Sequence, residues 1–240
     1  MSSSGAEGGQ QTPSRSRRRQ RRQLPLWQET ILLLVIALAL AIVIKALFVQ
    51  AFYIPSPSME PQFVKNDRIL VEKPSYWGSG PSRGDIIVFK DPSNWLGAED
   101  TPPATGLKRV LELVGLYPAG GHLVKRVIGV GGDRVRCCDQ QGRITVNGTA
   151  LDESYLPKGT VPSLQNFDVK VPEDRLWMMG DNRGDSADSR AHMGEPGGGF
   201  VPEDDVVGKV FALVWPWDRA QIIHRPSTFR AVPDATSGSR

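Results

Sequence analysis

Reactive side chains gather in three places along this chain. Ser56 and Ser58 lie in Ile54-Pro55-Ser56-Pro57-Ser58-Met59-Glu60-Pro61, Lys125 lies in the apolar run His122 to Val130, and a polar loop runs from Gly180 to Arg190. The prolines around the two serines stiffen the backbone into an extended form, so a hydroxyl there is held in place. The same composition also suits a plain Pro/Ser linker. A serine nucleophile needs a base, and no Ser/His/Asp triad is apparent, because none of His122, His192 and His224 is flanked by a matching carboxylate pattern. A lysine can replace histidine only when it is neutral. At its ordinary value of ~10.4 it is neutral about once in a thousand at physiological pH. Lowering that by ~2–3 units takes roughly 3–4 kcal/mol of differential solvation, which burial can supply. Leu123, Val124, Val127 and Ile128 are suitable apolar neighbours for Lys125. Strand alternation leaves two orientations open, inward as a base or outward onto a carboxylate. In the 180–190 loop, Asp, Asn, Gly and Ser are what any long turn uses, and Asp188 with Arg190 suits a brace.

Several other chemistries find little support. Gly129-Val130-Gly131-Gly132 lacks the Gly-Lys-Ser/Thr ending and following helix of a phosphate loop. The two cysteines, Cys137 and Cys138, are adjacent and cannot staple distant segments. Two readings are open, a strained vicinal disulfide and two ordinary thiols, and the expectation is the thiols with no structural disulfide. Only three histidines are available to join them, so no metal site is expected, and a serine attacking with a lysine as base would require no cofactor. Arg83-Gly84-Asp85 spells an adhesion tripeptide but reads as a turn into a strand, and Asn147-Gly148-Thr149 fits a glycosylation sequon but reads as a hairpin turn.

The elements that must position these residues begin with an apolar segment. Residues 1–23 carry six Arg against Glu7, so with a whole-chain charge of +3 the tail is +5 and the remainder −2. Basicity confined to the tail argues against a nucleic-acid-binding surface on the folded part. The tail lacks the apolar side chains of a core and is expected to be disordered. Ile31 to Ile44 is an unbroken apolar run, and Ala46 to Val49 extends it past Lys45. From Ile31 to Val49 the length approaches the ~20 residues that span a bilayer. Lys45 can snorkel to the headgroups. No small-x-small cleavage site is evident before Phe52-Tyr53-Ile54-Pro55. The segment 24–49 therefore reads as an uncleaved anchor with the Arg-rich end cytoplasmic.

Beyond the anchor, the pattern is of short strands, and 25 Gly and 19 Pro favour a turn-rich β fold. Strands are expected at 68–72, 85–89, 122–130, 133–136, 143–146 and 176–179, with 207–214 closing the sheet. Residues 91–121 read as an insertion with one possible helix at 107–116. Residues 151–172 read as irregular and 226–240 as a loose tail. The fold class is mainly β: a transmembrane helix, then a sheet domain over 50–225.

Taken together and in order, these stretches resemble a bacterial type I signal peptidase (leader peptidase) in its single-span, Gram-positive-like form. The resemblance covers about residues 30–215. It rests on the anchor with Ile54 to Pro61, Arg83-Gly84-Asp85-Ile86-Ile87-Val88-Phe89, Val124-Lys125-Arg126-Val127-Ile128-Gly129, Gly131-Gly132-Asp133, and Gly180-Asp181-Asn182-Arg183 through Ser186, Asp188, Ser189 and Arg190. It implies a mostly antiparallel β-sheet catalytic domain and a serine endopeptidase that removes signal peptides from exported preproteins, cutting after Ala-x-Ala through an acyl-enzyme. By residue, it implies Ser58 as nucleophile and Lys125 as general base. Ser56 would join the Ser58 N–H in the oxyanion hole, Ser186 would orient the lysine, and Asp188 with Arg190 would form a structural ion pair. Phe52, Ile54, Pro55, Met59, Leu123 and Val124 would line shallow substrate pockets. The implied partners are preproteins leaving the export machinery and the lipid bilayer, with no nucleic acid. Glu60 and Gln62-Phe63 depart from the usual pattern after the Ser-Met pair.

Three other readings compete: a self-cleaving repressor or dedicated processing peptidase, a non-catalytic anchored binding domain, and a tethered nucleic-acid binder. The cell membrane, with the catalytic domain outside, is the expected location. Protease added to right-side-out vesicles is expected to digest the chain beyond residue 55. Protection of that region would overturn the orientation.

Overall fold

The computed structural model describes residues 25–96, 106 and 121–235. The possible helix at 107–116 and most of the 91–121 insertion lie outside the described residues. Two compact units meet in sequence near residue 40. Helix α1 spans Leu26–Phe48 and contains neither Gly nor Pro. Pro25 precedes it and its carbonyl accepts from Gln28 N–H at 2.8 Å, while Glu29 in the first turn complements the helix dipole. Side chains from Ile31 to Ile44 are exposed on every face, which is not the pattern of a helix packed on a core. The helix is long and apolar enough to cross a membrane by length and composition. Val49 leaves the helix and opens a strand instead of ending the apolar run.

The second unit is built from β1 (Val49–Tyr53), β2 (Arg68–Glu72), β3 (Ile86–Lys90), β4 (His122–Gly129), β5 (Arg134–Cys137) and β6 (Thr145–Val146). It continues with β7 (Thr149–Ala150), β8 (Phe167–Lys170), β9 (Arg175–Met179), β10 (Val201–Pro202), β11 (Val206–Trp215) and β12 (Gln221–Ile222). One sheet runs β1-β2-β11-β3-β4-β9-β10, with β12 on β11, and a smaller one runs β7-β6-β5-β8. Every pairing is antiparallel.

Four expectations need correction. The 207–214 strand does not close the sheet: β11 inserts between β2 and β3, and Gly208 permits that, because any Cβ there would strike the Glu72 carbonyl. The irregular stretch 151–172 contains β8, where Phe167 and Val169 pack into a core cluster and pair with β5. Residues 226–235 are not a loose tail. A 3-10 turn at Ser227–Ala231 buries Phe229, and Val232 follows it into the same cluster. Arg83 Nη1 and Asn147 Nδ2 then donate to the carbonyls of Val232 and Pro233. Cys137 and Cys138, expected as two thiols, are joined as a disulfide, with Cys137 buried against the same cluster and Cys138 exposed.

The two turn readings are those adopted. Asn147 and Gly148 have φ of 51° and 81°, which suits a two-residue primed hairpin turn between β6 and β7. Gly84 has φ +86°, and a Cβ on it would meet the Phe229 ring at 2.5 Å. Three buried clusters form the core, one centred on Trp177 and Phe167, one on Phe52, Met59 and Phe63, and one on Phe89 and Trp95. Phe229→Ala is expected to destabilise the full chain by about 3–5 kcal/mol in a detergent-solubilised unfolding experiment. An unchanged midpoint would mean that 226–235 packs without supporting the fold.

Candidate active site

Ser58 sits in a loop between β1 and β2 whose ends are tied together. Ile54 N–H donates to Asp67 O and Asn66 N–H donates to Ile54 O, each at 2.9 Å. Inside the loop, Glu60 N–H donates to Pro57 O and Phe63 N–H to Met59 O, again at 2.9 Å. Met59 and Phe63 bury their side chains in one core cluster, so the residues on the C-terminal side of Ser58 act as its foundation. The Ser56 and Ser58 hydroxyls lie 3.2 Å apart.

Lys125 faces this loop from β4, which β3 and β9 flank. It is 3% exposed, and its Nζ lies 2.5 Å from Ser58 Oγ. The open question of its orientation is answered: the side chain is inward. Burial pushes the ammonium down from 10.5 to about 8, against the opposing pull of the Asp188 and Asp181 carboxylates. The amine is therefore held at a value where a substantial neutral fraction exists in mildly alkaline solution.

The 180–190 loop braces both. Gly180 passes so close to Ser58 O and Ser186 Oγ that no Cβ fits. Its N–H donates to Asp188 Oδ2 at 2.9 Å, and Arg190 grips the same carboxylate at 2.9 and 2.7 Å. Burial alone would raise Asp188, but the Arg190 guanidinium holds its carboxyl below the usual range. Ser189 Oγ accepts from Met178 N–H at 2.8 Å, tying the loop back to β9. The Ser186 hydroxyl is buried beside the Asp188 carboxylate, and no hydrogen bond joins it to Lys125.

The expected pocket residues are divided. Phe52, Ile54 and Met59 share one buried cluster with Val124 packed against it, and Leu123 belongs to another. Pro55 is exposed. Among the described residues no three His, Cys, Asp or Glu side chains converge on a metal site.

Sequence reasoning passed over a buried charge network beside the base. Arg126, next to Lys125, makes a double contact with Asp181 at 2.8 and 2.6 Å, with both side chains almost fully buried. Arg183 pairs with Glu153 at 2.6 Å, and the Tyr155 ring lies 4.4 Å from the Arg126 guanidinium. The signal was present in Lys125-Arg126 and Asp181-Asn182-Arg183, since charges flanking an apolar strand and a tight loop must find partners when buried. Glu153 and Tyr155 carried no such signal, because their stretch read as irregular. Asp181→Ala strands a buried guanidinium and is expected to cost about 3–5 kcal/mol of stability. Thermal or denaturant unfolding of the full chain checks this, and a loss below about 1 kcal/mol would mean that solvent reaches Arg126.

Comparison with known proteins places this geometry. Residues 27–215 match the signal peptidase family, peptidase S26. A protein of Mycobacterium leprae described as a probable signal peptidase I is 38% identical over 226 residues, covering 81% of this chain and 78% of its own length. Signal peptidase I of Mycobacterium tuberculosis is 38% identical over 221 residues, covering 82% of this chain and 75% of its own. A crystal structure of a signal peptidase I from Enterococcus faecalis matches at 27% identity over 54% of this chain and 95% of that one, with a TM-score of 0.35. The assignment rests on the sequence relatives, which cover most of both chains, and on the family match: this chain belongs to the signal peptidase family, peptidase S26, and is a serine protease of the kind that removes signal peptides.

Proposed function

We propose that Ser58 and Lys125 form a catalytic dyad that cuts preproteins after an Ala-x-Ala sequence through an acyl-enzyme. The observation that carries this reading is the 2.5 Å approach of Lys125 Nζ to Ser58 Oγ, with the lysine buried and its pKa lowered to about 8. With the amine neutral, the Ser58 O–H donates to Nζ and Oγ attacks the scissile carbonyl carbon while its proton passes to Lys125. The Ser58 N–H and the Ser56 hydroxyl stabilise the oxyanion. The tetrahedral species collapses as the Lys125 ammonium returns its proton to the departing amine, leaving the signal-peptide carbonyl as an ester on Ser58. Lys125 then takes a proton from water, whose oxygen attacks the ester carbon, and returns it to Ser58 Oγ as the ester bond breaks. Pockets opened at Pro55 and Val124, with the buried Phe52, Ile54, Met59 and Leu123 as apolar backing, would favour small side chains before the cut.

Membrane anchoring by α1, with the Arg-rich tail cytoplasmic and the β domain outside, belongs to the same reading. It puts the site where cleavage sites emerge from the export machinery and the bilayer. Residues 1–23 and 24–49 then serve as tail and anchor, and the peptidase domain extends from 50 through the docked segment near 235.

The test is cleavage of a model preprotein with Ala at −3 and −1 by detergent-solubilised protein. Ser58→Ala and Lys125→Ala are expected to be inert. For wild type, kcat/KM is expected to rise about tenfold per pH unit below about 8 and to level off above, because deprotonation of Lys125 creates the active base. A rate independent of pH between 6 and 9, or variants as active as wild type, would sink the dyad and favour an anchored binding domain.

A further inference from the structure

One residue of the 180–190 loop contacts the backbone on both sides of Ser58. Asn182 N–H donates to Ser58 O at 3.1 Å, and Asn182 Nδ2 donates to Pro57 O at 3.2 Å. Its own place is secured by its neighbours. Asp181 is locked onto Arg126, while Arg183 is locked onto Glu153 and donates through Nε to Gly180 O at 3.0 Å. Asn182 O in turn accepts from Asp185 N–H at 3.1 Å.

The consequence follows from the planarity of the peptide unit. Pro57 C=O and Ser58 N–H belong to one rigid plane and point in opposite directions across a trans bond. Fixing the oxygen therefore aims the N–H. A carbonyl that accepts a hydrogen bond also makes the N–H of the same unit a stronger donor. Pro57 O accepts twice, from Glu60 N–H at 2.9 Å within its own turn and from Asn182 Nδ2 across the site. Only the second of these refers the plane to the rest of the active site.

The contacts close a circuit. Lys125 Nζ meets Ser58 Oγ, Arg126 beside it grips Asp181, and Asn182 beside that holds Pro57 and Ser58. We infer that Asn182 is a positioning residue that aims the Ser58 N–H at the oxyanion through the Pro57–Ser58 peptide plane. The inference rests on the Ser58/Lys125 reading above and deepens it. Asn182 touches neither substrate nor the reacting atoms, and its effect is confined to the state in which negative charge develops on the carbonyl oxygen.

The experiment compares wild type, Asn182→Ala, Asn182→Asp and Ser58→Ala as full-length, detergent-solubilised chains. The Asp variant keeps the size and backbone N–H of Asn but presents no side-chain donor at pH 8. Readouts are kcat and KM on the model preprotein, the acid limb of the pH profile, and inhibition by a substrate-like peptide aldehyde. That probe adds Ser58 Oγ to its carbonyl carbon, with the serine proton taken by Lys125 and the oxygen left as an oxyanion. For both Asn182 variants, kcat is expected to fall by about 10–100-fold with KM within about twofold of wild type. Aldehyde affinity should fall by the same factor as kcat/KM, and in Asn182→Ala, which adds no charge, the acid limb should stay where it was. The aldehyde comparison counts only correctly folded sites, so partial unfolding cannot imitate it. Unchanged kcat in Asn182→Asp, or a loss that appears in KM alone, overturns the inference while leaving the dyad intact if Ser58→Ala is inert. Wild-type activity in Ser58→Ala overturns both.

Discussion

A lysine held out of water against a serine is the constraint on which the rest of this structure depends. At 3% exposure, Lys125 cannot keep its ordinary affinity for a proton. The shift from 10.5 to about 8 gives it a neutral fraction in mildly alkaline solution, and it has a thermodynamic cost. Between those two values the unfolded chain binds a proton that the folded chain does not, so stability rises with pH through that window. Below about 8 the whole cost, roughly 3 kcal/mol, is borne by the fold. The three buried clusters and the docked segment after Ile222 must supply the excess that tolerates it.

The surrounding charges explain how the lysine stays where it is without being fully recharged. Asp181 and Asp188 would each restore its proton affinity, but each is committed to a guanidinium, Arg126 and Arg190 respectively. Committing the carboxylates limits their pull while preserving the geometry. Buried pairs of this kind contribute little net stability against an apolar replacement, and their value lies in allowing one arrangement and penalising others. Here that arrangement sets Lys125 on β4, the loop after β9 and the Ser58 loop after β1 in a single register.

The sheet order makes such a register possible. β11 enters between β2 and β3, so strands from the two ends of the chain lie side by side. The Ser58 loop grows from the β1–β2 side, while Lys125 and the bracing loop come from β4 and β9. Segments separated by 67 positions in the chain meet at one hydrogen bond. The Phe229 segment then covers the turn at Gly84 and joins the Trp177 cluster, and Arg83 ties Asp133 to it.

By itself, the sequence determined the local features whose causes are local. The apolar run without Gly or Pro made α1, alternation and apolar runs made β2, β3, β4, β9 and β11, and Asn147-Gly148 made a primed turn. Joined in order, the short stretches around Ser58, Lys125 and Gly180 also indicated the family. Tertiary structure decided what depends on contact between distant residues. Alternation could not say whether Lys125 faced in or out, because β4 is buried along nearly its whole length and leaves no polar face to mark. Nothing local announced that Phe229 and Val232 belong to the core, since a short Pro-flanked segment carries no periodic pattern. The partners of Arg126 and Arg183 were equally invisible. An ion pair is a property of two positions, and only the folded chain brings Asp181 and Glu153 within reach.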